Sequence, residues 1–291
     1  MFITNSYMKS SVELTQPLPE SCEYLVIDGD TIAYMIGWHH RDHTDEALVK
    51  HAVDQWLKDF FAITGMKYYI GVIAPIGNNC FRKNIYKYKP YKGNRTDKEE
   101  WIKFWEPIIR QHLVDEWWFT LAPNHLETDD VVAAIVEGDP KAVLCSPDKD
   151  LKQIPGFHLN YKQNTEDSPL QVDIIEYNTA KRNLWMQVLT GDTTDNVNGI
   201  TGMGEAKAKK LLDETQQLLW ENAVQLAYQK QYGPYYGPII FTETYNTIRM
   251  MTPSHPLWDS YKFDVESYKQ NHLKEVPSAV KYAGPFYSET E

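Results

Sequence analysis

Acidic residues follow the apolar runs of this chain, and that placement constrains its fold more than any other feature. Asp28 comes directly after Leu25-Val26-Ile27, and Asp148 and Asp150 come after Ala142-Val143-Leu144-Cys145. Glu127-Thr128-Asp129-Asp130 follows the stretch at 116–121, and Asp192 and Asp195 close a further group. Carboxylates packed together repel, and a desolvated one is costly unless it is paired or metal-bound. If these groups converge, divalent cations are the expected reason. Two such ions held by carboxylates serve in-line attack on a phosphodiester.

The pattern between the acids says how they could converge. Residues 24–27, 68–74, 116–121 and 142–145 read as strands. Apolar residues at 48, 49, 52, 53, 56, 57, 60 and 61 give the spacing of a helix over 47–61, ended by Gly65. Residues 97–112 and 129–137 also read as helices. Strands alternating with helices predict a mostly parallel α/β sheet, with function collected at the carboxyl ends of its strands. Beyond Tyr177 the strand signal fades. Helices are expected at 178–189, 205–212, 216–229 and 239–251, with a loop at 233–238. The expected layout is a lead-in at 1–22, an α/β core at 23–175, a helical lobe at 176–251 and a C-terminal extension at 252–291 whose role is not readable.

No run of 18 apolar residues is present, so no membrane span is expected. The polar N-terminal stretch lacks the apolar region of a signal peptide. The three cysteines, Cys22, Cys80 and Cys145, form no C-x-x-C pair, which fits a reducing cytoplasm.

A formal charge of -11 argues at first against a polyanionic partner. The distribution of charge changes that reading. Between 80 and 95 lie Arg82, Lys83, Lys87, Lys89, Lys92 and Arg95 and no acid. Within this stripe Tyr88-Lys89-Pro90-Tyr91-Lys92-Gly93-Asn94-Arg95 interleaves aromatics with cations, a mixture that stacks on bases while neutralising phosphates. A solvated basic loop is the plain alternative. Further on, glycines at 199, 202 and 204 precede a helix carrying Lys207, Lys209 and Lys210. Free backbone N–H groups and the positive dipole end suit a phosphate there. A simple packing corner is the alternative, and the coincidence of glycines and lysines favours phosphate. Asp148-x-Asp150 lets two carboxylates reach one cation. Asp192 and Asp195 stand three apart, so they share one side if helical, or one of them acts as an N-cap.

In order, Val26-Ile27-Asp28-Gly29, Tyr91-Lys92-Gly93-Asn94-Arg95, Glu127-Thr128-Asp129-Asp130, Ser146-Pro147-Asp148-Lys149-Asp150, the segment 189–196 and the segment 199–212 resemble the 5′ nuclease superfamily. That superfamily includes phage 5′→3′ exonucleases and ribonucleases H, flap endonucleases and the 5′ nuclease domain of bacterial DNA polymerase I. The resemblance covers about residues 24–212. It implies a PIN-like α/β core with a basic gateway or arch at 80–112. It also implies a helix–three-turn–helix at about 189–213 that grips duplex DNA, with a potassium ion in its hairpin. Asp28, Glu127 and Asp129 would hold a first metal with Asp130 close by, and Asp148, Asp150, Asp192 and Asp195 a second. Tyr91, Lys92 and Arg95 would be the catalytic gateway, Lys92 contacting the scissile phosphate. Arg82, Lys83, Lys89, Gly202, Gly204, Lys207, Lys209 and Lys210 would contact DNA. One departure stands out: the segment 73–82 carries no acid where many members have a metal-site aspartate, and Asp30 is the candidate to reach the first metal instead.

Two rival readings remain. Ile27-Asp28-Gly29-Asp30-Thr31 matches the nucleophile loop of haloacid dehalogenase-type phosphatases, with Asp28 as nucleophile and Asp30 as general acid. A structure-specific DNA-binding protein with a decayed metal site is the other. The reading adopted is a magnesium-dependent 5′ nuclease, with manganese able to substitute. Its expected partners are DNA with a 5′ end or flap, RNA–DNA hybrids and replication proteins, in the cytoplasm of an infected bacterial host.

Overall fold

The structure, a computed structural model, describes residues 14–162, 170–278 and 280. Its elements run β1 (Tyr24–Asp28), α1 (Gly29–His39), α2 (Glu46–Thr64), β2 (Tyr68–Ile73), α3 (Arg82–Ile85), α4 (Glu100–Trp117) and β3 (Thr120–Leu121). They continue as α5 (Thr128–Val136), β4 (Ala142–Cys145), a short 3-10 turn (Lys149–Gln153), β5 (Gly156–Leu159), β6 (Val172–Ile175) and α6 (Tyr177–Thr190). Then come β7 (Gly191–Asp192), β8 (Val197–Asn198), α7 (Glu205–Asp213), α8 (Trp220–Ile248), α9 (Trp258–Tyr261), α10 (Val265–His272) and β9 (Lys274–Glu275).

The main sheet runs β3-β2-β1-β4-β5-β6, with β9 also on β2. The pairs β1–β2, β1–β4, β2–β3 and β4–β5 are parallel, so the mostly parallel sheet expected from the sequence is present. β5–β6 and β2–β9 are antiparallel. Alternation sorts each strand between two apolar layers. Leu25, Ile27, Val143 and Cys145 point to the layer holding Trp56, Phe60 and Trp105 of α2 and α4. Tyr24, Val26, Ala142 and Leu144 point to the layer holding α5 and, continuous with it, Trp185, Tyr228 and Phe241 of the helices beyond residue 176. Helices cover both faces, which is why β1 reads as an unbroken apolar run. Because that second layer is continuous, the boundary expected at 175/176 is not a seam in the packing.

Several expectations need correction. The stretch 116–121 is not a strand throughout: α4 runs to Trp117, and two residues alone pair with β2. The segment 233–238 is not a loop. It is helical apart from Gly233 (φ 82°, ψ 166°), where α8 kinks, and Pro234 opens the resumed helix, where its missing N–H costs nothing. The expected arch at 80–112 is shorter, because Trp105 and Ile109 of α4 are fully buried and the Trp105 indole donates to the His40 carbonyl (3.0 Å). The irregular gateway is confined to 86–99. Helix α1 and strands β5 and β6 had no sequence reading. The extension after 252 supplies α9, α10 and β9, and β9 covers an edge of β2.

One buried ion pair ties these parts together. Arg82, at the start of α3 and 3% exposed, donates to both oxygens of Asp130 (2.6 and 2.7 Å), which is fully buried on α5. It also donates to Glu127 (3.0 Å) and to the Thr247 carbonyl at the end of α8 (2.7 Å). Asp130 accepts in turn from the backbone N–H of Met251 (2.8 Å). Arg82 is thus an internal clasp and not a DNA contact. Asp130 has both oxygens engaged inside the protein and does not face a metal site. Arg82→Ala should destabilise the fold by about 3–5 kcal/mol, because it leaves Asp130 charged and unpaired. Urea unfolding should show the apolar double replacement Arg82→Met/Asp130→Leu to be less damaging than Arg82→Ala alone.

Candidate active site

Sheet order reverses between β1, whose successor β2 lies on one side, and β4 on the other. Crevices at the carboxyl ends of strands form at such points. Asp28 ends β1 and caps α1. Its carboxylate accepts from Asp30 N–H (3.1 Å), Thr31 Oγ1 (3.0 Å) and Ser146 Oγ (2.9 Å). Ser146, after β4, accepts from Asp148 N–H (3.1 Å), and Asp148 caps the next turn by accepting from Asp150 N–H (2.8 Å). Glu127 is the N-cap of α5, and Asp129 and Asp130 stand in its first turn, where the helix dipole favours acids. Asp192 and Asp195 come from elsewhere: they follow a helix, α6, in the small ribbon β7–β8, and not a strand of the main sheet. That ribbon is tight. A Cβ on Gly191 would lie 2.2 Å from the Gly199 nitrogen, so no side chain fits there.

These residues line a cleft of about 200 Å³: Glu127, Asp129, Asp148, Asp150, Asp192 and Asp195 from the acids, with Tyr91, Lys92, Arg95 and Lys149. Asp28, 2% exposed, does not line the cleft but stands close enough to Asp129 and Asp148 to repel both. Burial, with repulsion from Asp28, Asp148 and Glu127, pushes the Asp129 carboxyl well above the usual range. Burial and then Asp148 and Asp192 raise Asp150 to about 7. Burial and Asp30 raise Asp28 to about 6. Glu127 goes the other way: burial raises it, but Arg82 and then Lys92 hold it down at about 2. The acids therefore divide into those that have protein cations and those that do not.

The same division bears on where a metal could sit. Among the described residues, Cys80, Glu127 and Asp130 bring potential ligand atoms within 4.8 Å of one another. The Arg82 guanidinium already occupies that position, 2.6 Å from Asp130 and 3.7 Å from the Cys80 sulfur. Among the described residues, no cation stands at ion-pair distance from Asp28, Asp129, Asp148, Asp150 or Asp192, and as hard oxygen donors they fit a divalent cation. Asp30 is not available to them. It pairs with Arg110 (2.9 Å) and accepts from Ala74 N–H (3.1 Å) and Thr128 Oγ1 (2.9 Å). Those contacts also leave it poorly placed as the general acid of a phosphatase.

The gateway lies against the acids. Tyr91 Oη is shared between Glu127 (2.8 Å) and Asp195 (2.7 Å), Lys92 pairs with Glu127, and Arg95 pairs with Asp195 (2.8 Å). The cations read as DNA contacts, Arg82 apart, are at the surface. Lys83 donates to the Asn78 carbonyl (2.7 Å), Lys89 to Asn198 Oδ1 (2.9 Å) and Lys207 back to the Gly202 carbonyl (2.8 Å). Lys210 pairs loosely with Glu214 (3.7 Å), and Lys209 is exposed. Gly202 turns the chain at φ 76° and Gly204 caps α7. Ser146 and Thr31 stand in motifs quoted from the sequence but were given no role there, and Gln187 was missed, since an amide within a helix carries no pattern that marks it.

No family model matches the chain. It is 27% identical over 172 residues to DNA polymerase I of Rhizobium leguminosarum, a match covering 56% of this chain and 17% of the relative. The chain thus spans about a sixth of the length of that curated relative. Among solved structures it is similar to the T5 D15 protein crystallised with metal ions (TM-score 0.53, 14% identity, 78% of this chain and 89% of that one). It is also similar to T5 5′-exonuclease with bound zinc (TM-score 0.51, 15% identity, 78% and 88%). The PIN-like α/β fold is shared with these proteins, so the resemblance to the 5′ nuclease superfamily read in the sequence holds in the fold. Among the described residues no helix is long and apolar enough to cross a membrane.

The raised carboxyls set a pH dependence. Asp28 and Asp150 are protonated in the folded protein well above their unfolded range, so the stability they contribute is present in acid and lost as pH rises through about 6 and about 7. A bound cation offsets the repulsion only where the carboxyls are ionised. The rise in melting temperature on adding Mg²⁺ should therefore be larger at about pH 8 than at about pH 5.5, by at least about 2 °C. Comparing with and without Mg²⁺ at each pH cancels the buried histidines, such as His255, which burial lowers to about 4.

Proposed function

We propose that this chain is a divalent-metal-dependent 5′ nuclease that hydrolyses phosphodiesters of DNA. The observation that carries the reading is the crowding of Asp129, Asp148, Asp150 and Asp192 in one cleft with Asp28 close to them, none of the five with a cation at ion-pair distance among the described residues, beside a gateway of Tyr91, Lys92 and Arg95. Mg²⁺ is the natural occupant, with Mn²⁺ able to substitute. Asp28 and Asp129 would hold one ion, with Glu127 beside them already paired with Arg82 and Lys92, and Asp148, Asp150 and Asp192 the other. Such ions supply a hydroxide-like nucleophile at neutral pH and neutralise charge on the attacked phosphate.

The chain's own residues do the rest. Thr31 and Ser146 fix the Asp28 carboxylate through the hydroxyl bonds given above. Lys92, with two N–H donors left after Glu127, and the partly exposed Arg95 can donate to phosphate oxygens that gain charge in the transition state. Tyr91 orients both of them by bridging Glu127 and Asp195. Exposed cations at Lys83, Lys89, Lys207, Lys209 and Lys210, with the glycine turn at 199–204 and the N–H groups opening α7, would hold a duplex backbone, with potassium as the ion suited to the turn. The likeness to T5 5′-exonuclease supports action at a 5′ end, and flaps and RNA–DNA hybrids are further candidate substrates. Removal of primers or degradation of DNA during phage replication is the corresponding role, in the bacterial cytoplasm.

The test uses 5′-labelled single-strand, duplex, flap and RNA–DNA substrates with Mg²⁺ or chelator. Metal-dependent release from the 5′ end is expected, falling by at least about a thousandfold in Asp148→Ala/Asp150→Ala. Release that survives chelation overturns the reading. Lys92→Ala should lower turnover about a hundredfold with little effect on binding. Lys207→Ala/Lys209→Ala should instead weaken duplex binding and reduce the slope of log affinity against log salt by about 2.

A further inference from the structure

We infer that Asp195 is a positioning residue, holding the gateway over the cleft, and not a metal ligand. The inference rests on the nuclease reading of the cleft. Asp195 and Asp192 are three residues apart in one turn, yet they face opposite charge. Asp192 accepts from Thr194 N–H (2.8 Å) and from Asp195 N–H (3.4 Å) and stands beside Asp150. Asp195 faces the gateway instead. Its Oδ2 accepts from Tyr91 Oη (2.7 Å) and lies 3.5 Å from Lys92 Nζ, and its Oδ1 accepts from Arg95 (2.8 Å). Two cations and a phenol already satisfy this carboxylate, so a divalent ion gains little by binding it.

The backbone repeats the arrangement. Lys92 N–H donates to the Asp195 carbonyl (2.8 Å), Asn94 Nδ2 to the Thr193 carbonyl (2.7 Å) and Asn196 Nδ2 to the Pro90 carbonyl (2.9 Å). Lys92 adopts a left-handed φ of 57°, uncommon for a residue other than glycine or asparagine and held here by surrounding contacts, and Asn196, a residue type that tolerates this region, has φ 60°. The turn at 192–198 and the segment 90–95 therefore clasp each other, and the Asp195 carboxylate is the centre of the clasp. It fixes where Lys92 and Arg95 stand, while their remaining N–H donors stay free for a phosphate.

The experiment compares wild type, Asp195→Ala, Asp150→Ala and Tyr91→Phe, each as the full chain with its melting temperature measured. Mn²⁺ alone is titrated and followed by electron paramagnetic resonance, and native trypsin cleavage after Lys92 is timed without DNA. Asp195→Ala should bind Mn²⁺ within about threefold of wild type, and Asp150→Ala should bind at least about tenfold more weakly. Cleavage after Lys92 should accelerate about tenfold in Asp195→Ala, and also in Tyr91→Phe, which opens the clasp from the other side. Loss of Mn²⁺ affinity in Asp195→Ala equal to that in Asp150→Ala overturns the inference. So does wild-type cleavage in both Asp195→Ala and Tyr91→Phe. If wild type binds no Mn²⁺, the metal reading fails separately, and the cleavage rates still decide for or against the clasp.

Discussion

A guanidinium is costly to bury, and Arg82 is held in the core because Asp130 engages both of its ends. The rest of the cleft depends on that pair. It joins the start of α3, the first turn of α5 and the chain leaving α8, three pieces that approach from different parts of the sequence. It also decides how the acids of α5 are used. Asp130 is neutralised in the interior, Glu127 is half neutralised and kept ionised, and Asp129 is left facing other carboxylates. One buried cation thereby divides three nearly adjacent acids into a structural member, a bridging member and an uncompensated one.

The sheet explains why the uncompensated acids meet at all. β1 and β4 are parallel neighbours, so the residues after each strand emerge at the same edge. Asp28 and Ser146 touch there, and Ser146 carries Asp148 with it. The helices beyond residue 176 then bring Asp192 to the same place, through the tight crossing of Gly191 and Gly199. Each local choice is ordinary: a cap, a serine, a glycine pair. Their sum is a concentration of like charge that destabilises the empty fold. Local rules in conflict with stability are the usual mark of a functional site.

Much of this was legible in the sequence because it follows from periodicity. β1, β2 and β4, helix α2 and its end at Gly65, and the acids after the strands were read from spacing alone. What was not legible depends on rotation and burial. Asp129 and Asp130 are neighbours in sequence, and the 100° step of a helix sends one to the cleft and the other to Arg82. Arg82 and Lys83 are neighbours in a basic stripe, and one is buried while the other is exposed. Composition assigns both to the surface. The glycine and prolines at 233–238 read as a loop, but the kink at Gly233 accommodates Pro234 at the start of the resumed helix, which then continues through Pro238. Asp192 and Asp195 share a motif, and only the partners around each carboxylate separate their environments.

The net charge of -11 then ceases to argue against a polyanionic ligand. A long-range field repels in proportion to net charge, but salt screens it beyond about 8–10 Å, whereas a phosphate in the cleft feels the groups within that distance. There the acids point inward onto positions suited to cations, and Lys92, Arg95 and Lys149 line the cleft beside them. Two divalent ions, together with Lys92, Arg95 and Lys149, would bring the carboxylates of the cleft to about neutral, so a phosphate would no longer meet net negative charge there while the chain as a whole stays acidic. Affinity for a phosphodiester backbone would then depend on metal loading, so that binding and the capacity for hydrolysis rest on the same charges.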